Sequence, residues 1–370
     1  MKDFKDSLPI SRRNLLKASA TVGAVALLGD LVPLAYGAGE EITIFTWETY
    51  HDDDWIAQWT AQTGVKVNVI YTGSVDEMYA KLRSGAVEAD LVYLDVGSMP
   101  RLIAGNVIAP IDPSKITAAS NIASGLKWQE RCTIQGKVWG VPYNWGTQPL
   151  MFNADVVKPK PATWKVLWDK QYEGRVNLPD DAYITFQMIA LSIKAKDPFN
   201  LTDAEFEQCA QALRDLRPQL RTIARGVDDA TTIYASGDAD LGYCQNISSV
   251  FQLQGQGKKF DFAFPDEGTP AWIDCAILTP RGTGRKVVYD FINDNLSPQW
   301  QSRFIGRSLN NGVIDSSVAL KAGMTKDVLA RTNILAEEEP GFWDKMAFSQ
   351  NPENIDRRLE IWNAFKAGTL

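Results

Sequence analysis

Histidine is almost absent from this sequence, because its 370 residues include only His51. A histidine-rich metal site is therefore excluded, and any Ser/His/Asp or Cys/His arrangement would have to use this one ring. His51 precedes Asp52, Asp53 and Asp54, a cluster that could hold a cation. The cluster also opens an amphipathic segment, where acids usually cap a helix, so we expect capping. We predict neither a metal nor a cofactor.

Catalytic motifs are missing as well. No GxSxG, P-loop or GxGxxG sequence occurs between a predicted strand and a predicted helix. We therefore predict that the protein is not an enzyme. Catalysis by paired carboxylates needs no histidine, so an exported carboxylate-dependent hydrolase remains an alternative.

Cysteine is scarce, and no two cysteines have the spacing of a metal site. Cys132, Cys209, Cys244 and Cys275 are far apart in the sequence. In an oxidising compartment they could form up to two disulfides, in one of three full pairings. Buried free thiols are the other possibility. The sequence leaves both open.

Long hydrophobic runs are also lacking. The segment "ASATVGAVALLG" is too short and too rich in Ala and Gly to span a membrane. It follows "SRRNLLK" and precedes small residues at Ala35, Gly37 and Ala38, an order that resembles a twin-arginine export signal with a cleavage site. We predict that residues 1–38 are this signal and that the protein is periplasmic.

The charge of the chain narrows the choice of partner. The net charge is −7, and it is −9 for residues 39–370 because the leader has five Lys or Arg and three Asp. Such acidity argues against nucleic acid or anionic lipid as a partner and is compatible with a cationic ligand.

The length predicts two domains, because a single core rarely serves more than about 250 to 300 residues. Apolar runs and amphipathic segments alternate along the chain, which is typical of βαβ units in a parallel sheet. The first strands are "EITIFTW", "VKVNVIYTG" and "ADLVYLD", with helices at "DDWIAQWTAQTG" and "SVDEMYAKLRSG" between them. Ser74 and Glu77 form a capping box at the second helix.

A second set of elements repeats this alternation. Its predicted strands are "GRVNLP", "ADLGYCQ" and "DFAFP", and its predicted helices are "TFQMIALSIKA", "DAEFEQCAQALRDL" and "DDATTIYASG". Further helices follow at "RKVVYDFINDNL" and "NIDRRLEIWNAFKAG". The Gly- and Pro-broken aromatic stretch at residues 136–153 and the stretch at 269–280 are predicted to cross between two lobes.

The order of several segments resembles that of periplasmic spermidine/putrescine-binding proteins, the receptors of ABC importers. These segments are "TWETY", "MYAKLRSG", "ADLVYLD", "GVPYNWG", "TWKVLWDKQYEGRV", "LPDDA", "DLGYCQN" and "WIDCAILTP". The resemblance implies an α/β fold of the type II periplasmic-binding-protein kind, with two interwoven doubly wound lobes around a ligand cleft. It implies a first lobe of residues 39–143 plus 276–312 and a second lobe of 146–273 plus 313–370.

The resemblance also implies a binding site for an amine. Aromatic faces and carboxylates together hold an aliphatic ammonium. The residues predicted to bind ligand are Trp47, Glu48, Thr49, Tyr50, Asp95, Asp181, Gln245, Trp272 and Asp274. Of these, Glu48 and Asp95 are acids at adjacent strand ends that are usually uncharged in the family, as if carboxylates had been redistributed.

Four positions depart from the polyamine pattern. Thr49 and Ile184 stand where the family carries glutamates, Gly97 where it carries a tyrosine, and Gln245 where it carries a tryptophan. An apolar Ile184 cannot pair with an ammonium, and burying an unpaired charge costs several kcal/mol. We therefore expect a ligand with one firmly held cationic group and a less charged far end: a short diamine, a quaternary amine or an amino-acid-like compound.

Together these features predict a monomeric receptor that passes a small amine to an ABC permease in the inner membrane and binds no nucleic acid. A receptor of the same fold for an anionic or amino-acid-like solute is an alternative. Its anion would use the amides at the helix start near Gly73 and Ser74. That alternative requires a basic residue in the cleft, and none occurs at the matched site positions.

Overall fold

Local sequence accounts for the first elements of the chain. A computed structural model describes residues 36, 39–308, 310–332 and 339–370, so the predicted export signal lies outside the described residues except at Tyr36. The predicted helices begin where acids and hydroxyls cap them: Asp52 accepts a hydrogen bond from the Trp55 amide, and Ser74 accepts one from the Glu77 amide. The acids that follow His51 therefore cap and begin a helix, as predicted.

Seven strands form the sheet of the first lobe. They are β1 (Glu41–Trp47), β2 (Lys66–Thr72), β3 (Leu91–Asp95), β6 (Val141–Thr147), β12 (Thr269–Leu278), β13 (Asn311–Gly312) and β14 (Met346–Phe348). The order is β13-β6-β12-β3-β1-β2, and β14 pairs with the start of β12. The pairs that join β1 to β2 and β3 are parallel, while β12 is antiparallel to β3 and β6, so the sheet is mixed.

Five strands form the sheet of the second lobe, and a two-stranded hairpin stands apart. The five are β7 (Leu150–Asn153), β8 (Val176–Pro179), β9 (Leu220–Ala224), β10 (Leu241–Tyr243) and β11 (Phe260–Ala263), in the order β11-β7-β10-β8-β9. The hairpin is β4 (Thr133–Ile134) and β5 (Lys137–Val138).

Helices cover both sheets. In chain order they are α1 (Asp53–Thr63), α2 (Val75–Ser84), α3 (Met99–Ala104), α4 (Trp128–Arg131), α5 (Ala182–Ser192), α6 (Asp203–Leu216), α7 (Val227–Ser236), α8 (Ser248–Gly255), α9 (Lys286–Asn295), α10 (Pro298–Ser308), α11 (Ser316–Lys321), α12 (Lys326–Arg331) and α13 (Ile355–Ala367). No helix among the described residues combines the length and the apolar character needed to cross a membrane.

Each lobe has its own core, as the predicted doubly wound fold requires. On β7, Leu150 and Phe152 pack into a core with α5 and α6, while Met151 between them packs into a second core with α7 and α8. Alternate residues of a strand point to opposite faces, so both faces of this sheet are covered. The α/β architecture with two lobes is confirmed.

The boundaries of the lobes differ from the prediction. Residues 269–280 were predicted to cross between lobes, yet they contain β12, which runs through the middle of the first sheet. Residues 313–348 were predicted in the second lobe, yet Ala319, Leu329 and Phe348 pack in the core of the first. Helix α13 joins the second core through Trp362 and Phe365. The hydrophobic pattern of a short helix does not specify which core will receive it.

Along the described part of the sequence, the chain passes between the sheets three times. The first passage follows β6 at Gln148 and Pro149, the second lies between β11 and β12, and the third joins β14 to α13. The predicted lobe bounds placed the third passage at residues 312–313, whereas in the structure it follows β14. Three passages interweave the lobes, which is the arrangement expected of a hinged pair.

The four cysteines are buried free thiols, one of the two alternatives that the sequence left open. The sulfurs of Cys132 and Cys275 lie 3.6 Å apart in the first lobe. No group of three or more potential metal ligands occurs among the residues described.

Candidate functional site

A cavity of about 430 Å³ is lined by residues of both lobes. Six of its lining residues belong to the predicted site: Tyr50, Asp95, Asp181, Gln245, Trp272 and Asp274. The others are Val75, Ser98, Gln148, Tyr183, Ile184, Gln187, Val227, Asn246 and Ser349. The fold thus brings together residues that are more than 200 positions apart in the sequence.

Strand register places two carboxylates side by side in this cavity. Asp95, the last residue of β3, is the direct partner of Asp274 in antiparallel β12. Asp274 is only 8% exposed, and burial, followed by the nearby charge of Asp95, raises its pKa to about 7. Burial likewise raises the pKa of Asp95 to about 6. Without a bound cation, the two carboxylates therefore bind a proton more readily than a solvent-exposed aspartate does.

Hydroxyl and amide donors hold the two carboxylates. The Tyr50 hydroxyl donates to Asp274 Oδ2. The Ser349 hydroxyl donates to Asp95 Oδ1 over 2.8 Å, and the Gly97 amide donates to the same oxygen over 2.8 Å. The other oxygen of the carboxylate, Asp95 Oδ2, is buried as well.

The turn after β1 delivers Tyr50 to the cavity. The backbone of Thr49 has a left-handed φ of 74°, and its carbonyl accepts a hydrogen bond from Arg307. The carbonyl of Tyr50 accepts one from Tyr143. These contacts fix the turn with the Tyr50 hydroxyl directed at Asp274.

Three predicted residues of the same segment do not line the cavity. Glu48 and Thr49 are exposed and line a separate open pocket that also contains Asp52 and Arg307. Trp47 is half-buried against the core of the first lobe. Strand β1 ends at Trp47, and the left-handed backbone of Thr49 in the turn that follows interrupts the alternation of the strand.

Asp181 lines the cavity from the second lobe and also caps α5. Its Oδ1 accepts hydrogen bonds from the amides of Tyr183 over 2.8 Å and Ile184 over 3.1 Å. Protein atoms around the carboxylate reduce its solvation and raise its pKa, although the residue stays exposed to the cleft. Ile184 presents an apolar surface beside it.

Glycines make room for two of the site side chains. Gly146 on β6 lies opposite Trp272 on β12, and a Cβ at Gly146 would be 2.5 Å from Trp272 Cζ2. A Cβ at Gly97 would be 2.7 Å from Asp95 Oδ1 and 2.8 Å from Ser349 Oγ. The absence of a side chain at position 97 therefore permits the contact between Asp95 and Ser349.

His51 lies outside the cavity, in an aromatic cluster. Its ring centroid is 4.6 Å from that of Tyr93 and 5.3 Å from that of Tyr143. Burial lowers the pKa of His51 to about 3, so the ring stays neutral at physiological pH. It has a structural place in the core.

Sequence reasoning missed several polar residues of the cavity. Tyr183 and Gln187 extend from α5, Gln148 lies on the first passage between lobes, and Ser349 lies on the third. No local pattern distinguishes them, because each owes its place to the meeting of two lobes. The described lining residues include three aspartates and neither Lys nor Arg. The cavity is therefore suited to a cation.

Known proteins resemble this chain over most of its length. Residues 54–332 match the family model described as bacterial extracellular solute-binding protein, and residues 9–29 match the twin-arginine translocation pathway signal sequence. The spermidine/putrescine-binding periplasmic protein of Escherichia coli (strain K12) is 30% identical over 257 residues, which cover 69% of this chain and 72% of that protein. The putrescine/cadaverine-binding protein of Pseudomonas aeruginosa is 23% identical over 281 residues, covering 69% of this chain and 74% of that protein.

A solved structure supports the fold. The spermidine/putrescine ABC transporter substrate-binding protein of Streptococcus pneumoniae has a TM-score of 0.75 and 19% identity, covering 90% of this chain and 100% of that chain. The chain belongs to the bacterial extracellular solute-binding protein family. It is a periplasmic protein exported by the twin-arginine route.

The packing of Trp272 on Gly146 can be tested by substitution. Gly146→Ala forces the indole ring or the strand to move, and overpacking of this kind lowers the free energy of unfolding by about 1–3 kcal/mol. Urea denaturation followed by circular dichroism measures the change. Gly255→Ala is the matched control, because no atom lies within 4 Å of a Cβ built there. A Gly146→Ala protein with the wild-type urea midpoint would contradict the proposed close approach.

Proposed function

We propose that this periplasmic receptor captures a polyamine or related small amine in the cavity between its lobes and delivers it to an ABC permease in the inner membrane. The observation that carries the proposal is the lining: Asp95, Asp181 and Asp274 face a cavity whose described lining residues include no Lys or Arg. The names of the relatives, which bind spermidine, putrescine or cadaverine, support the same class of ligand. We propose that it acts as a monomer and does not transform its ligand.

The cavity can satisfy an ammonium group on the side of the first lobe. Asp95 and Asp274 accept its N–H donors, and Trp272 supplies an aromatic face. The bound cation also reduces the repulsion between the two carboxylates. The carboxylates in turn neutralise the charge of the ammonium group as it leaves water. Asp181 adds one acceptor from the opposite lobe.

The far side of the cavity is less charged. Ile184 and Val227 contribute apolar surface from the second lobe, while Gln187 and Gln245 contribute amides. Amides can hydrogen-bond a neutral or partly charged group but do not neutralise a second buried ammonium as a carboxylate does. We propose a short diamine, a quaternary amine or an amino-acid-like amine as the preferred ligand.

The alternative anionic ligand receives no support from the helix start near Gly73. The Gly73 amide donates to Glu77 Oε2 over 2.7 Å, and the Ser74 side chain accepts from the Glu77 amide over 3.1 Å. The donors that an anion would need are therefore used within the helix cap. An anion would also meet the three aspartates without a described cationic partner in the lining.

A panel of ligands tests the proposal directly. Isothermal titration calorimetry of protein stripped of ligand by unfolding and refolding should give one-to-one binding of amines without turnover. Putrescine and other short amines should bind more tightly than spermidine or spermine, because the second lobe lacks the acid at position 184. Tightest binding of spermidine or spermine would refute the preference for short ligands. Binding of organic acids in place of amines would refute the function itself.

Substitution of the acids tests the site. We expect Asp274→Asn or Asp181→Asn to weaken amine binding, since losing the partner of a desolvated charge costs about 2 kcal/mol or more, or about 30-fold in affinity. Glu48→Gln is the matched control: it also removes one negative charge, but from outside the cavity. A loss of affinity in Glu48→Gln equal to that in Asp274→Asn would place the ligand elsewhere.

Binding should also depend on pH, with a sign fixed by the raised pKa values. Asp274, with a pKa of about 7, and Asp95, with a pKa of about 6, are increasingly protonated as pH falls. The amine stays charged and needs ionised acceptors, so affinity falls as pH drops through 7 and 6, by up to about tenfold per pH unit for each proton displaced. Calorimetry between pH 5.5 and 8.5, roughly the range in which these acids titrate, measures this change in affinity. Affinity that is constant across this range would rule out these acids as the acceptors.

A further inference from the structure

The third passage between the lobes carries Ser349 into the cleft. Ser349 follows β14 directly, and its amide donates to the Ala271 carbonyl of β12 over 2.8 Å. Two residues before Ser349, the Ala347 carbonyl accepts a hydrogen bond from Gln187 Nε2 of α5 over 2.6 Å. This segment is thus tied to both lobes, and Ser349 is only 6% exposed.

Three side chains join the lobes through this residue. Ser349 Oγ lies 2.8 Å from Asp95 Oδ1 in the first lobe and 2.7 Å from the Tyr183 hydroxyl in the second. The Tyr183 hydroxyl also donates to the Gln350 carbonyl over 2.7 Å. Ser349 has one proton, and an ionised Asp95 can only accept, so that proton belongs to the Asp95 contact. Tyr183 then shares its own proton between Ser349 and Gln350.

We propose that Asp95, Ser349 and Tyr183 form an interlobe clasp in which Ser349 is a positioning residue: it orients the Asp95 carboxylate toward the ligand and connects it to the second lobe. The inference rests on the proposed function and names the element that couples occupation of the site to closure of the lobes. Gly97 is part of the arrangement because a side chain there would occupy the space of the Ser349 and Asp95 oxygens.

The two contacts of the clasp have separable roles. The Ser349 hydroxyl stabilises the ionised form of Asp95, so its loss favours the protonated form. The Tyr183 hydroxyl provides the link between the lobes, and its loss leaves the contact between Ser349 and Asp95 in place. The titratable groups around Asp95 are Asp274 and Cys275 on β12 and Tyr183 on α5, with the Tyr50 hydroxyl on Asp274.

Two substitutions with matched controls test the clasp. Ser349→Ala and Tyr183→Phe each remove one hydroxyl of the clasp. Ser302→Ala and Tyr234→Phe each remove a buried hydroxyl that lies outside the cavity. Circular dichroism establishes that all four variants fold.

Calorimetry with putrescine across pH should separate the two contacts. We expect Ser349→Ala to move the midpoint of the pH dependence upward by about half to one unit, the effect of one lost hydrogen bond to a carboxylate. We expect Tyr183→Phe to keep that midpoint, to release putrescine faster in stopped-flow measurements, and to compact less with ligand in small-angle X-ray scattering. Both controls should behave as the wild type does.

A measurement without ligand keeps the inference independent of the proposed function. In protein labelled with ¹³C at aspartate carboxyls, the titration midpoint of Asp95 should rise in Ser349→Ala and stay unchanged in Ser302→Ala. An unchanged midpoint would overturn the clasp, as would wild-type release and compaction in Tyr183→Phe. If the wild-type protein bound no amine, the proposed function would fail, and the Asp95 titration would still decide whether Ser349 positions this carboxylate.

Discussion

The register between β3 and β12 is the constraint on which this site depends. It sets Asp95 directly opposite Asp274 in the cavity, where Asp274 is buried and Asp95 is half-buried. Two neighbouring like charges repel, and burial makes each charge costly in its own right. The pair therefore needs a proton, hydroxyl donors or a bound cation. Tyr50 and Ser349 supply the hydroxyl donors, and the ligand supplies the cation.

The rest of the molecule holds this pair in place and completes the cavity. β12 is the longest strand of the first sheet and carries both Asp274 and Trp272. Gly146 on the neighbouring strand leaves room for the indole ring, and the left-handed turn at Thr49 directs Tyr50 inward. Asp181 arrives from the other lobe at the start of α5. Because the acceptors are divided between lobes, a cation held by all of them favours the closed arrangement.

Much of the fold could be predicted from local patterns. Alternating apolar residues predicted β1, a continuous apolar run predicted β3, and the caps at Asp52 and Ser74 predicted the starts of α1 and α2. The assignment of elements to lobes was less successful, because the hydrophobic pattern of an element does not specify which lobe it joins. A run of apolar residues has the same pattern in a crossover as in the centre of a sheet, which is why β12 was predicted to be a crossover. The short helices α11 and α12 and strand β14 could not be assigned to a core from their sequences.

The sequence by itself determined the export route, the alternation of strands and helices, and the chemical character of a site built from aromatic residues and acids. These depend on residue type and on spacing along a few turns or strands, which the chain specifies locally. Only the tertiary structure decided which acids meet. Asp95 and Asp274 are neighbours because of strand register, Glu48 is excluded by one backbone turn, and Ser349 and Tyr183 meet across two lobes. Such contacts depend on the packing of distant segments, and no local pattern encodes them.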